Sequence, residues 1–188
     1  LNFCTLELSA FYFDIRKDSL YCDDIKSIKR RSTSTCLHII FEFLTKWLSP
    51  IVSFTCEEAW KSRSYSNEES ILLQNVKDDE FTFKDISLEK VFEELKRVRK
   101  SVTSALELKR NEKLIGSSLQ AKVILFLSKD TQKIIADLDL AEMCIVSNVE
   151  THDISNRSKQ SISIEDEKIY VEIKLAEGKK CERCWAVL

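Results

Sequence analysis

Glycine and proline are nearly absent from this chain, with 2 and 1 in 188 residues. Collagen-like, loop-dominated and low-complexity chains are excluded by that alone, and long helices, which need few breakers, are favoured. Histidine is also scarce, at 2. No glycine-rich phosphate loop is present, nor a Ser, His and Asp order worth proposing as a triad, so the sequence predicts no catalysis by this chain alone. No run approaches the ~18 consecutive apolar residues of a membrane span, and no signal peptide opens the chain, so no membrane partner is expected. Charge of one sign is lacking too. The net charge is −2, from 29 basic and 31 acidic residues, so any nucleic-acid contact must come from local basic faces and not from an overall field.

What is there is a chain rich in apolar residues, 44%, and in charge, 32%. Leu1, Phe3, Leu6, Leu8 and Phe11 read as a helix already under way, with a helix end and loop over 14–24. A long helix is predicted over 26–48, basic at its start and then apolar nearly all round, from Leu37 to Leu48, as befits a helix buried among others. Pro50 ends or kinks it. The next helix opens near Phe54, where Thr55 and Glu58 have capping-box spacing. Leu88, Val91, Phe92, Leu95, Val98, Val102, Ala105 and Leu106 then recur at helical spacing, with Ser87 as the expected N-cap and Gly116 as the stop.

Past Gly116 the character changes. Ala121–Leu127 and Met143–Val149 read as strands, and Thr131–Leu138, capped by Asp130, as a short helix. Ile169, Val171, Ile173 and Leu175 alternate as in a half-buried strand. The expected architecture is mainly α: a helical bundle over 1–115, a small α+β lobe over 116–177, and a cysteine-bearing tail over 178–188.

Seven cysteines, an odd number, fit free thiols in a reducing cytoplasm better than a secreted disulfide scaffold. Cys181 and Cys184 form a CxxC, which by spacing is half a zinc site, a redox pair or chance. Residues 16–31 hold six basic residues against three acidic, and residues 88–113 hold eight against five. Such faces can bind phosphates, although most charged helix faces are only solvated. Phe11, Tyr12, Phe13, Trp47 and Trp60 lie in apolar surroundings and are expected in the core. Trp185, on a basic turn, is the stacking candidate.

The run Leu6-Glu7-Leu8-Ser9-Ala10-Phe11-Tyr12-Phe13-Asp14-Ile15-Arg16-Lys17-Asp18-Ser19-Leu20-Tyr21 resembles the start of the anticodon-binding bundle of bacterial-type isoleucyl-tRNA synthetases. Arg30-Arg31-Ser32, Leu48-Ser49-Pro50-Ile51 and Phe54-Thr55-Cys56-Glu57-Glu58-Ala59-Trp60 are similar to the helices that follow, and the Pro50 to Trp60 pattern is shared with the valyl and leucyl enzymes. Ile115-Gly116-Ser117-Ser118-Leu119-Gln120-Ala121 resembles the junction to the lobe, and Ala176-Glu177-Gly178-Lys179-Lys180-Cys181-Glu182-Arg183-Cys184-Trp185 the family's first zinc knuckle.

The resemblance implies an antiparallel helical bundle, the class I synthetase anticodon-binding domain, then the lobe and a truncated knuckle. It implies a piece of isoleucine–tRNA ligase, a monomeric cytoplasmic enzyme that joins isoleucine to tRNA(Ile) using ATP. The ATP-binding and editing domains lie outside this chain. Lys29, Arg30, Arg31, Arg97 and Lys100 are the expected phosphate contacts and Trp185 the base-stacking contact. Cys181 and Cys184 are the expected zinc ligands. The family's second cysteine pair is absent here, so the chain alone is expected to hold less than one zinc, or none. The competing reading is a free-standing RNA-binding or protein-interaction helical module.

Overall fold

The computed structural model describes residues 2–63, 70–74 and 85–188. The chain is mostly helical, with one small sheet. It packs as two units, Leu1–Lys17 with Lys84–Leu188, and Asp18–Phe83.

In the first unit, Phe3–Phe13 is wound as a π-helix and runs straight into α1, Asp14–Cys22. A run of that form so long is rare, and nothing in the apolar spacing signals it. The loop expected over 14–24 is therefore mostly helix. The long helix α4 spans Ile86–Asn111. Its buried apolar positions, Leu95, Val98, Val102, Ala105 and Leu106, follow the three–four spacing of a single stripe, which also buries Ser101. Asp85, not Ser87, caps it: the carboxylate accepts from Ser87 N at 2.9 Å and Leu88 N at 3.1 Å. A charged acceptor one residue before the first helical position outcompetes a hydroxyl already inside the first turn. Nor does Gly116 stop the helix. Lys113 takes the left-handed conformation, φ 60°, and Leu114 N returns to Lys109 O at 3.0 Å.

After α4 comes the lobe. Strand β1, Ala121–Leu127, lies between β2, Asn148–Asp153, and β3, Tyr170–Leu175, parallel to the first and antiparallel to the second. Two short helices, α5 (Lys129–Ile134) and α6 (Leu140–Cys144), form the crossover that a parallel pair needs. The strand expected over 143–149 is thus displaced. Asp139 caps α6 by accepting from Glu142 N at 3.1 Å, and Ile145 turns the chain at φ 56° before β2 begins. Ser128, not Asp130, caps α5.

One core joins the stripe of α4 to the sheet. Val98, Val102, Ala105 and Leu106 cluster with Val123, Leu125, Val171 and Ile173. A second cluster brings Phe11 and Ile15 to Leu95 and Met143.

In the second unit, Ser27 caps α2, Ile28–Leu48, which a short turn joins to α3, Ser53–Lys61. The capping box at Thr55 does not form. Helix α3 begins earlier, at Ser53, and Val52 before it offers no side-chain acceptor. Cys56, Trp60 and Ile71 make the small core, with Phe41 against it. Trp60 is 3% exposed, with the Arg63 guanidinium 3.1 Å from its ring centroid. Trp47, expected in the core, is 59% exposed, and no apolar residue of α2 is fully buried. Among the described residues of this unit, α2 packs against α3 and the turn Ile71–Leu73, and Phe41 is its residue against the small core. Of the N-terminal aromatics, Phe11 and Tyr12 are half-buried and Phe13 is exposed.

Candidate nucleic-acid interface

Three short stretches carry the residues at issue. Lys29, Arg30 and Arg31 stand on the first turns of α2, in the second unit. Lys29 and Arg31 are exposed. Arg30 is half-buried and donates from Nη1 to the Asp23 carbonyl at 2.7 Å, which fixes the loop before the helix. Arg31 borders a cleft of about 750 Å³ lined also by Ile28, Ser32, Thr35, Cys36, Ile39 and Ile40 of the same helix.

Arg97 and Lys100 lie on α4, in the first unit, and both are engaged by a two-carboxylate loop. Asp166 accepts from the Arg97 guanidinium, which also pairs with Glu94 at 2.6 Å. Glu165 accepts from Lys100 at 2.7 Å and from Ser104 Oγ at 2.9 Å. Asp166 is held below the usual carboxylate range, first by the Lys168 amide and then by Arg97. Glu165 is lowered by Lys100 and Ser104. A phosphate reaching this face must exchange with a carboxylate already there. Nothing in the sequence near α4 signals these partners, because they lie 69 residues beyond Arg97 and 65 beyond Lys100.

The third stretch is the tail. Residues 179–188 fold back as a hairpin: Lys179 N to Leu188 O is 2.9 Å, Leu188 N to Lys179 O is 3.0 Å, and Cys181 N to Ala186 O is 2.8 Å. Gly178, at φ 139°, starts it. A Cβ there would collide with the Leu188 backbone, and the φ itself disfavours any side chain. Trp185 occupies the left-handed region at φ 66°, held by its N–H to Cys181 O at 3.0 Å. Its ring is 61% exposed, and Lys180 Nζ lies 5.0 Å from the centroid. With Lys179, Lys180 and Arg183 beside it, the ring is an aromatic surface in a cationic setting, suited to stacking on an unpaired base.

Cys181 and Cys184 sit in the same turn. The Cys181 thiol is lowered by the backbone N–H groups of Cys184 and Arg183, by the Cys184 thiol, and by the Trp185 N–H, against a small opposing effect of burial. Such a nest suits a thiolate. A structural zinc takes four ligands. Among the described residues no third His, Cys, Asp or Glu joins this pair, so the residues present do not fit a closed zinc site by themselves. Cys144 is the opposite case: 6% exposed, with burial pushing its thiol up to about 12. Alkylation of the native chain at neutral pH, mapped by mass spectrometry, is expected to label Cys181 at least about 10-fold faster than Cys144. Equal rates would contradict this geometry.

Fold and site together define a helical domain with a small mixed-sheet lobe, cationic helix starts and an exposed tryptophan hairpin. Residues 1–125 match the anticodon-binding domain of tRNA ligases, and the chain belongs to that family. Over its whole length it is similar to isoleucine–tRNA ligases. It is 42% identical to that of Agrobacterium fabrum over 188 residues, covering 100% of this chain and 19% of the relative. The Pelagibacter ubique enzyme is 43% identical over 187 residues, with coverage of 100% and 19%, and that of Bartonella henselae 41% over 186, with 98% and 19%. The chain thus spans about a fifth of the length of these relatives. Among the described residues no helix is long and apolar enough to cross a membrane.

Proposed function

We propose that this chain is the anticodon-recognition region of an isoleucine–tRNA ligase, the enzyme that joins isoleucine to tRNA(Ile) using ATP. Its similarity from end to end to proteins of that name is the observation that carries the reading. ATP binding and the chemistry belong to the parts of such enzymes outside this span. This region grips and positions the RNA and performs no bond-making step. The seven free cysteines suit a reducing cytoplasm, and the parent enzyme acts as a monomer.

In this reading α2 and α3, joined by a four-residue turn over 49–52, run antiparallel as bundle neighbours. Lys29, Arg30 and Arg31 meet backbone phosphates and Trp185 stacks on a base. Arg97 and Lys100 contribute by giving up Asp166 and Glu165. Cys181 and Cys184 supply two ligands to a zinc completed from outside this span.

The test is a titration with tRNA(Ile) across salt concentrations. Binding is expected to weaken with salt, with a log–log slope of about −0.7 to −0.9 per phosphate engaged, and Arg31→Ala to reduce the slope by about 1. Salt-independent binding, or none at low salt, would defeat the proposal.

A further inference from the structure

The tryptophan hairpin does not hang free from β3. Ser147, the residue before β2, sits under it. Its Oγ accepts from Val187 N at 2.7 Å and donates to Leu119 O at 2.5 Å, while its own N–H donates to Ala121 O at 3.2 Å. One side chain thus joins three segments distant in sequence: the turn before β1, the start of β2 and the returning arm of the hairpin. The bond to Val187 is separate from the hairpin's own ladder, which runs through Lys179, Cys181, Ala186 and Leu188. Ala176 N adds a second tie, to Gln120 O at 2.8 Å, at the hairpin's outgoing side.

The lobe beneath is closely packed. Ala121, Val123 and Leu125 are fully buried in β1. A hairpin of ten residues with no buried apolar side chain of its own has little to hold it in place. An isolated knuckle would swing about Gly178. The Ser147 hydroxyl, satisfied as donor and acceptor, fixes it to the sheet.

We infer that Ser147 is the positioning residue of the Cys181–Trp185 hairpin, setting where the Trp185 ring is presented to RNA. The RNA consequence rests on the stacking role proposed for Trp185; the positioning itself does not.

Three variants of the full 188-residue chain test this, with wild type as reference. Ser147→Ala removes the hydroxyl. Ser147→Thr keeps it, at a half-buried position that borders a cleft of about 430 Å³. Val187→Pro removes the donor and leaves Ser147 intact. Amide hydrogen exchange at Cys181, Trp185 and Leu188 reads the hairpin, and at Val123 and Leu125 the lobe. Ser147→Ala and Val187→Pro are expected to lower protection in the hairpin roughly 5- to 100-fold, as for one buried hydrogen bond lost, with β1 unchanged and Ser147→Thr close to wild type.

Affinity for an anticodon stem-loop oligoribonucleotide is expected to fall with hairpin protection, while the salt slope stays constant, since no cation is removed. Unchanged hairpin protection in Ser147→Ala overturns the assignment, as does loss that Thr fails to restore. Loss of hairpin protection with no stem-loop binding by the wild type would leave Ser147 in its positioning role and remove the stacking role of Trp185 instead.

Discussion

Leu125→Ala is expected to cost about 2–5 kcal/mol, as for a fully buried leucine truncated in a packed core. Leu125 lies within the central strand, 0% exposed, with Thr151 opposite it in β2 and Val171 in β3. It belongs to the cluster that joins the sheet to Val98, Val102 and Ala105 of α4. Truncation leaves a cavity among residues fixed by two strand registers and a 26-residue helix, so little can collapse into it. The consequence extends beyond β1, because the same helix anchors the π-helical N-terminal segment through Leu95 and through Arg99, which donates to Met143 O at 3.0 Å and lies 4.8 Å over the Phe11 ring. Urea denaturation followed by circular dichroism checks this, with Leu175→Ala at a 52% exposed position expected to stay within about 1 kcal/mol. Similar midpoints for the two variants would refute the core assignment.

The second large effect concerns binding. Trp185→Ala is expected to weaken stem-loop RNA by about 1–3 kcal/mol, or roughly 5- to 150-fold in Kd, as base–aromatic stacking does elsewhere. Alanine keeps a Cβ at φ 66°, so the backbone strain there is unchanged, and because the residue is 61% exposed the folded chain should lose little stability and gain none of the defects of a core variant. Trp185→Phe, which keeps a smaller ring, should recover part of the affinity. Trp47→Ala is the matched control, an equally exposed tryptophan in the other unit. Equal losses from Trp47→Ala and Trp185→Ala would point to a general aromatic effect and not to the hairpin.

Local sequence made some of this legible. The stripe of α4 was readable because its spacing of three and four matches burial at every inward position from Leu95 to Leu106. Strand β1 was readable as a short, partly β-branched apolar run, and it is buried at six of its seven positions; the alternation of β3 holds at Val171 and Ile173 but not at Glu172, which is buried, or Leu175, which is exposed. Strand β2 was misplaced. The apolar run through Met143 and Val146 looks like a strand until Asp139 is seen capping a helix and Ile145 turning left-handed. The burial of α2 was misread because an all-round apolar pattern gives no information about how many neighbours are present.

The candidate site divides the same way. Cys181, Cys184 and Trp185 stand out by residue type and spacing. The carboxylates that hold Arg97 and Lys100, and the serine that pins the hairpin, act across 65 to 69 and 40 residues respectively, and no local pattern marks them. Ion pairs and hydrogen bonds of that separation are products of the fold, so they become visible only once β1, β2 and β3 are in register.

The central claim is recognition of an anticodon. Its most direct measurement is a competition titration of the chain with two tRNAs that differ only in the anticodon, one bearing the isoleucine anticodon and one a changed triplet, at fixed salt. Tighter binding of the isoleucine tRNA by at least about 10-fold is expected, with the difference diminished in Trp185→Ala. Equal affinities for the two RNAs, undisturbed by Trp185→Ala, would contradict it.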